Sequence, residues 1–212
     1  MTGVNGEANK SRLVLVVDDD AAVRDSTAAL LEHAGHRVVA FDSGSALIDN
    51  GIPPGSDVVL LDIMMPGLNG LETLRTLRRN RDLPPVVVLT GHGDIPLAVE
   101  AIKLGALEFL EKPYPMKSLL DLITTLDKTT SFSTPDGPQQ TAAREKVAEL
   151  TSRQREVLKG MALGEPSKVT AHRLSLSVRT VEAYRGQLFG RLGVRGMAEA
   201  VRIAVQAGLL DT

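Results

Sequence analysis

Cysteine is absent from the 212 residues, which excludes disulfides and thiolate metal sites and leaves no argument for an oxidising compartment. No apolar run approaches the ~20 residues that a membrane-spanning helix needs. Residues 1–11 are polar and contain glycine, without the apolar centre of a signal peptide. A soluble, cytoplasmic protein with no membrane partner is expected. A strong net charge is missing as well, because 24 basic and 26 acidic residues leave −2. That balance conceals an asymmetry. Residues 1–140 hold 12 Lys and Arg against 19 Asp and Glu, a charge of −7, whereas residues 141–212 hold 12 against 7, a charge of +5. Halves of opposite sign suggest different ligands, the second a polyanion. A hydrophobic content of 43% suffices for ordinary cores, and the length suits two compact units.

Short apolar runs alternate with amphipathic stretches from Leu13 onward. Strands are expected over 13–17, 37–41, 58–61, 86–89 and 108–110, and helices over 21–34, 46–49, 71–79, 95–104 and 116–126. Five βα units of this kind imply an α/β fold, a doubly wound parallel sheet with helices on both faces. The following Ser/Thr/Pro/Gly-rich segment has no apolar periodicity and reads as a linker, separating a domain of residues 12–127 from one of residues 149–212 across 128–148. The second half shows helical patterns only, over 145–150, 153–163, 169–174, 178–192 and 197–207, and is expected to be all-α.

Chemistry-bearing residues fall at the strand ends. Leu-Val-Leu-Val-Val runs into Asp18-Asp19-Asp20, and Asp-Val-Val-Leu-Leu ends in Asp62. Ligands of open α/β sheets bind outside the carboxyl ends of the strands where the winding reverses, so these acids are expected to share one crevice and to need a cation. Mg²⁺ suits few carboxylates and several waters. Asp20 is expected to be the N-cap of the helix after it. Thr90 closes Val-Val-Val-Leu-Thr and Lys112 precedes Pro113, adding a hydroxyl and an ammonium to a phosphoryl cradle. One carboxylate could then be a nucleophile that takes a phosphoryl group to give an acyl phosphate.

These residues, with Leu-Asp-Ile-Met-Met-Pro-Gly-Leu-Asn-Gly around Asp62, make residues 12–127 resemble the receiver domain of two-component response regulators. The resemblance implies a flavodoxin-like sheet of order 2-1-3-4-5, with Asp62 as phosphoacceptor. It also implies that Asp19, Asp62 and the backbone carbonyl of Met64 hold Mg²⁺, with Asp18 supporting the ion through water. By the same resemblance Lys112 pairs with the carboxylate or phosphoryl oxygen, Thr90 swings toward the phosphoryl group, and Phe109 is a switch aromatic, although core packing explains Phe109 equally well. Thr90 to Ala106 is similar to the FixJ branch, in which a phosphorylated receiver pairs with a second copy through its fourth helix and fifth strand. Ile95, Val99 and Phe109 are the corresponding dimerisation residues. His92 is assigned no chemistry.

In the helical half, Thr170 to Arg185 has the cadence of helix, tight turn, helix, with Ala171 small at a close approach, Ser177 as N-cap and Val181 facing the core. An ordinary αα-hairpin fits that cadence as well. Leu150-Thr-Ser-Arg-Gln-Arg-Glu-Val-Leu, Arg179-Thr-Val-Glu and Leu-Phe-Gly-Arg-Leu-Gly-Val (188–194) are more specific. They resemble the LuxR-type helix-turn-helix domain, a four-helix unit, over about 149–210. The resemblance places Arg179, Thr180, Glu182, Ala183, Tyr184, Arg185 and Gly186 on or beside the recognition helix, with Glu182, Ala183 and Gly186 facing bases. Lys168, Arg179 and Arg185 are the candidate phosphate contacts. Members of the family usually carry Ser-Asn-Lys-Glu-Ile-Ala where this chain has Pro166-Ser-Lys-Val-Thr-Ala171, and often Gly at Ser175. Pro166 and Thr170 are therefore expected to disturb the start of the scaffold helix, with Ser167 still available to cap it.

Together these features read as a response regulator of the FixJ/NarL type. It takes phosphoryl from a sensor histidine kinase, forms a homodimer on phosphorylation and binds double-stranded promoter DNA. It is a substrate for transfer, not a turnover enzyme. A receiver-based interaction module and a phosphate sink with weak DNA binding are the rival readings.

Overall fold

The computed structural model describes residues 11–80, 83–91, 95–126 and 138–210. The N-terminal stretch, the loop around His92 and residues 128–137 of the expected linker lie outside the described residues. Contacts divide the described chain into two units, one of residues up to 91 with those from 110 to 126, the other of residues 95–109 with 138–210.

Five strands form one sheet: β1 (Leu13–Val17), β2 (Arg37–Phe41), β3 (Val58–Asp62), β4 (Val86–Thr90) and β5 (Glu108–Glu111). Their order is β2-β1-β3-β4-β5, as expected. β1 pairs in parallel with both neighbours, Val14 standing opposite Val38 and Val58, and β3 pairs with β4 so that Asp62 faces Leu89. Every residue of β1, β3 and β4 is buried. That is the reason their Val/Leu runs are continuous and not alternating, since both faces of such strands are covered. Each fully buried aliphatic side chain contributes about 1.5–3 kcal/mol.

The helices of the first unit are α1 (Ala21–His33), α2 (Gly44–Asn50), α3 (Gly70–Leu77) and, after the α4 of the other unit, α5 (Met116–Thr125). Asp20 caps α1 as expected, its carboxylate accepting from the N–H groups of Ala22 and Val23 at 2.8 and 3.3 Å. α2 is longer than the expected 46–49 because Ser43 caps it, accepting from Ala46 N–H at 3.2 Å. α3 starts one residue early on a capping box: Asn69 accepts from Glu72 N–H at 2.9 Å, and Glu72 accepts from Asn69 N–H at 3.2 Å.

The second unit holds α4 (Ile95–Lys103), α6 (Pro138–Ala148), α7 (Ser152–Ala162), α8 (Ser167–Leu174), α9 (Val178–Leu192) and α10 (Met197–Gln206). The linker expected over 128–148 is thus helical from Pro138. A proline costs nothing in a first helical turn, where its missing N–H would have no partner, and α6 packs against α10. Lys146 fastens it further by donating to the Leu192 carbonyl at 2.9 Å. Residues 95–109, expected within a domain of residues 12–127, group with this unit, where α4 packs on α10.

Candidate functional site

The carboxyl ends of β1 and β3 bring Asp18, Asp19 and Asp62 together. One ligand oxygen from each lies within 4.8 Å of the others, a spacing and donor chemistry that fit a hard cation. Asp18 and Asp62 are buried and Asp19 is exposed. Lys112 reaches both buried acids, its Nζ donating to Asp18 Oδ2 at 2.6 Å and standing 3.2 Å from Asp62 Oδ2. The other Asp18 oxygen accepts from Asp20 N–H at 3.0 Å, so both oxygens of Asp18 are engaged. Lys112 is itself positioned through the backbone, because its N–H donates to the Thr90 carbonyl at 2.7 Å; its peptide with Pro113 is cis. The Thr90 side chain is buried and its hydroxyl donates to the Gly91 carbonyl at 3.0 Å.

Burial pushes the Asp62 carboxyl up; the Lys112 ammonium opposes the rise, the Asp18 charge adds to it, and the Met64 N–H favours the ionised form. Lys112 is raised despite burial, because the Asp18 hydrogen bond and the two acids favour its charged form. The Met64 side chain is exposed beside the site. A Cβ on Gly70 would stand 2.2 Å from the Asp62 carbonyl oxygen, so only glycine lets the N-terminus of α3 abut the end of β3.

In the helical unit, Ser177 caps α9 by accepting from Thr180 N–H at 3.0 Å, and Val181 is buried. The α8–α9 turn passes through Ser175, whose φ of 55° and ψ of 45° are left-handed. Ser167 does not cap α8. Its backbone is already the first helical residue, Pro166 precedes it without a side-chain cap bond, and its hydroxyl instead donates to Glu182 Oε1 and accepts from Arg185. Thr170 is buried with its hydroxyl satisfied by Glu165 at 3.0 Å. Arg173 spans Glu156 and Glu165 at 2.7 and 3.0 Å and locks α7 to α8. The disturbance expected from Pro166 and Thr170 is thus absorbed.

Residues 14–124 match the model of the response regulator receiver domain, and residues 148–204 match that of the bacterial regulatory proteins of the luxR family. The transcriptional regulatory protein FixJ of Bradyrhizobium diazoefficiens is 37% identical over 201 residues, covering 93% of this chain and 97% of the relative. FixJ of Azorhizobium caulinodans is 40% identical over 199 residues, covering 92% and 93%. The chain belongs to the FixJ/NarL family of response regulators. Full-length FixJ from B. japonicum is a structural neighbour with a TM-score of 0.52 and 37% identity, covering 95% of this chain and all of that one. As a FixJ/NarL member the protein is a transcriptional response regulator of a two-component system. No helix among the described residues is long and apolar enough to cross a membrane.

For this FixJ/NarL chain the structure gathers Asp18, Asp19, Asp62, Thr90 and Lys112 at one end of the sheet. Of the residues assigned to dimerisation, Val99 is buried while Ile95 and Phe109 are half-buried. On the helix-turn-helix, Lys168, Arg179, Glu182, Ala183 and Gly186 are exposed, and Thr180, Tyr184 and Arg185 are half-buried. Arg24 escaped the sequence reading. Its guanidinium donates to the carbonyls of Asp18 and Asp19 at 2.8 and 3.4 Å and fixes the loop that carries both acids. The Tyr114 hydroxyl, bonded to Thr27 at 3.0 Å, also went unread. An arginine gives no sign in sequence of a carbonyl partner, nor a tyrosine of a hydroxyl 87 residues away.

Proposed function

We propose that Asp62 accepts a phosphoryl group from the phosphohistidine of a sensor histidine kinase and that the phosphorylated receiver pairs two chains for promoter binding. An Asp62 oxygen attacks phosphorus, the phosphorus–nitrogen bond breaks, and the imidazole leaves with the electron pair. The observation that carries this reading is the cluster of three carboxylates, two of which, Asp18 and Asp62, the Lys112 ammonium bridges. Asp19, Asp62 and the Met64 carbonyl would hold Mg²⁺. Asp18, both of whose oxygens are engaged, suits support through water. When bound, the ion neutralises charge on the phosphoryl oxygens. Lys112 lies close enough to leave the Asp62 carboxylate for the incoming phosphoryl group, and Thr90 turns its hydroxyl from Gly91 to the same group.

Phe109 follows Thr90, and the half-buried Ile95 and Phe109 belong to the face through which two phosphorylated chains pair, to which the buried Val99 offers no surface. The paired α9 helices then enter successive major grooves of double-stranded DNA, about one helical turn apart or a multiple of it, with Lys168 and Arg179 at phosphates. Promoter DNA as partner makes the cytoplasm the compartment of this reading. The test combines phosphodonor labelling with mobility shifts. The wild-type chain takes label with Mg²⁺ and binds duplex more tightly once labelled, whereas Asp62→Asn takes none. Continued labelling of Asp62→Asn overturns the acceptor. Absence of duplex binding at low salt in both states favours an interaction module or phosphate sink.

A further inference from the structure

The exposed stripe of α9 runs from Val178 and Arg179 through Glu182, Ala183, Gly186 and Gln187 to Gly190 and Arg191. Such a face is unusual for a helix that must approach a polyanion, since it sets an anion, Glu182, between its two cations, Arg179 and Arg191. A carboxylate there is repelled by phosphates and by the acceptor atoms of guanine and of thymine, and it cannot contribute to sequence-independent affinity. It is nevertheless held firmly. The Ser167 hydroxyl on α8 donates to Glu182 Oε1, the Arg185 guanidinium stands 3.6 Å from the same oxygen, and Arg185 also bonds Ser167 Oγ and, at 3.2 Å, Met197 Sδ. A cation one turn inward on the recognition helix is therefore engaged in fixing the acid instead of in gripping a phosphate. Oε2 has no partner among the described residues, and the side chain stays 56% exposed. One turn further along, nothing lies within 4 Å of where a Cβ on Gly186 would stand, so the backbone is free to come close to a groove.

We infer that Glu182, positioned by Ser167 and Arg185, selects cytosine in each half-site by accepting a hydrogen bond from the base's exocyclic amino group. This rests on the DNA-binding reading above. Of the four bases, cytosine alone presents an amino donor in the major groove with no acceptor of its own beside it. Adenine pairs its amino group with N7, which repels a carboxylate. A single free oxygen with a fixed partner oxygen matches one donor and not two. Glutamine at the same place would donate as well as accept, and so suits adenine.

The test uses the full-length chain with acetyl phosphate and Mg²⁺, a pool of duplexes randomised over the binding site, and sequencing of the bound fraction. Wild type is expected to enrich half-sites sharing one cytosine. E182A is expected to lose that preference at that position alone, and E182Q to move it toward adenine. S167A weakens the preference while leaving the salt slope of binding unchanged. Replacing that cytosine by 2-pyrimidinone, which lacks the amino group, lowers wild-type affinity about tenfold and leaves E182A unaffected. An E182A profile identical to wild type, or equal loss of both proteins on 2-pyrimidinone, overturns the inference. Retention of no duplex by wild type in either phosphorylation state overturns the DNA-binding reading itself.

Discussion

At the scale of single residues, burial keeps the Asp62 carboxyl above its usual range although Lys112 stands 3.2 Å away. A native carboxyl that is raised relative to the unfolded chain adds stability below the ordinary carboxylate value and loses it as pH climbs through the raised one. Without Mg²⁺, ionised Asp62 therefore costs stability at neutral pH. Asp62→Asn in EDTA is expected to melt a few degrees higher than wild type at pH 7, with the difference vanishing below about pH 4. Calorimetry across that range checks it, and an Asn variant less stable at pH 7 would contradict it. The acids and Lys112 were legible in the sequence because a charge ending a fully apolar strand has few structural uses. Arg24 was not, since its targets are carbonyl groups, which any residue supplies. Ser167 was misread for a related reason. A serine at a helix start is ordinarily a cap, but here the competing acceptor lies fifteen residues away on another helix.

Among the elements, continuous Val/Leu runs gave away the buried strands, right-handed crossovers left few topologies, and the winding order came with the receiver resemblance. Helix starts were less legible. The first turn of a helix has orphan N–H groups that a preceding polar residue can satisfy, and the capping box at Asn69 and Glu72 was visible as Asn-x-x-Glu without being used. Residues 138–148 hid because their helix rests on contact with α10 and not on a strong apolar period of their own. The α8–α9 turn stores a cost at Ser175, the sole non-glycine residue with positive φ among those described. Ser175→Gly is expected to stabilise the helical unit by about 1 kcal/mol, the relief of the left-handed strain being partly offset by the freer unfolded chain. Chemical denaturation reads this directly. A neutral or destabilising result would mean that the serine side chain makes a compensating contact. Gly70→Ala is expected to do the opposite in the other unit. Its Cβ meets backbone atoms of Asp62 and Ile63, so stability falls by several kcal/mol and Mg²⁺ affinity falls with it, as titration calorimetry of the folded fraction would show.

For the whole molecule, the proposed function has the acidic and basic halves acting on different ligands, linked through the phosphoryl group. Light scattering is expected to show a monomer that becomes a dimer on adding acetyl phosphate and Mg²⁺, with Ile95→Asp, at a half-buried position, remaining monomeric while still taking label. A dimer of unchanged mass in both states would remove pairing from the scheme. Tryptophan is absent and there are two tyrosines, Tyr114 bonded to Thr27 beside Lys112 and Tyr184 on α9. Ultraviolet emission therefore comes from two phenols, one in each functional half. Replacing either by phenylalanine leaves a single native fluorophore, so phosphorylation and duplex engagement can be followed separately without attaching any dye.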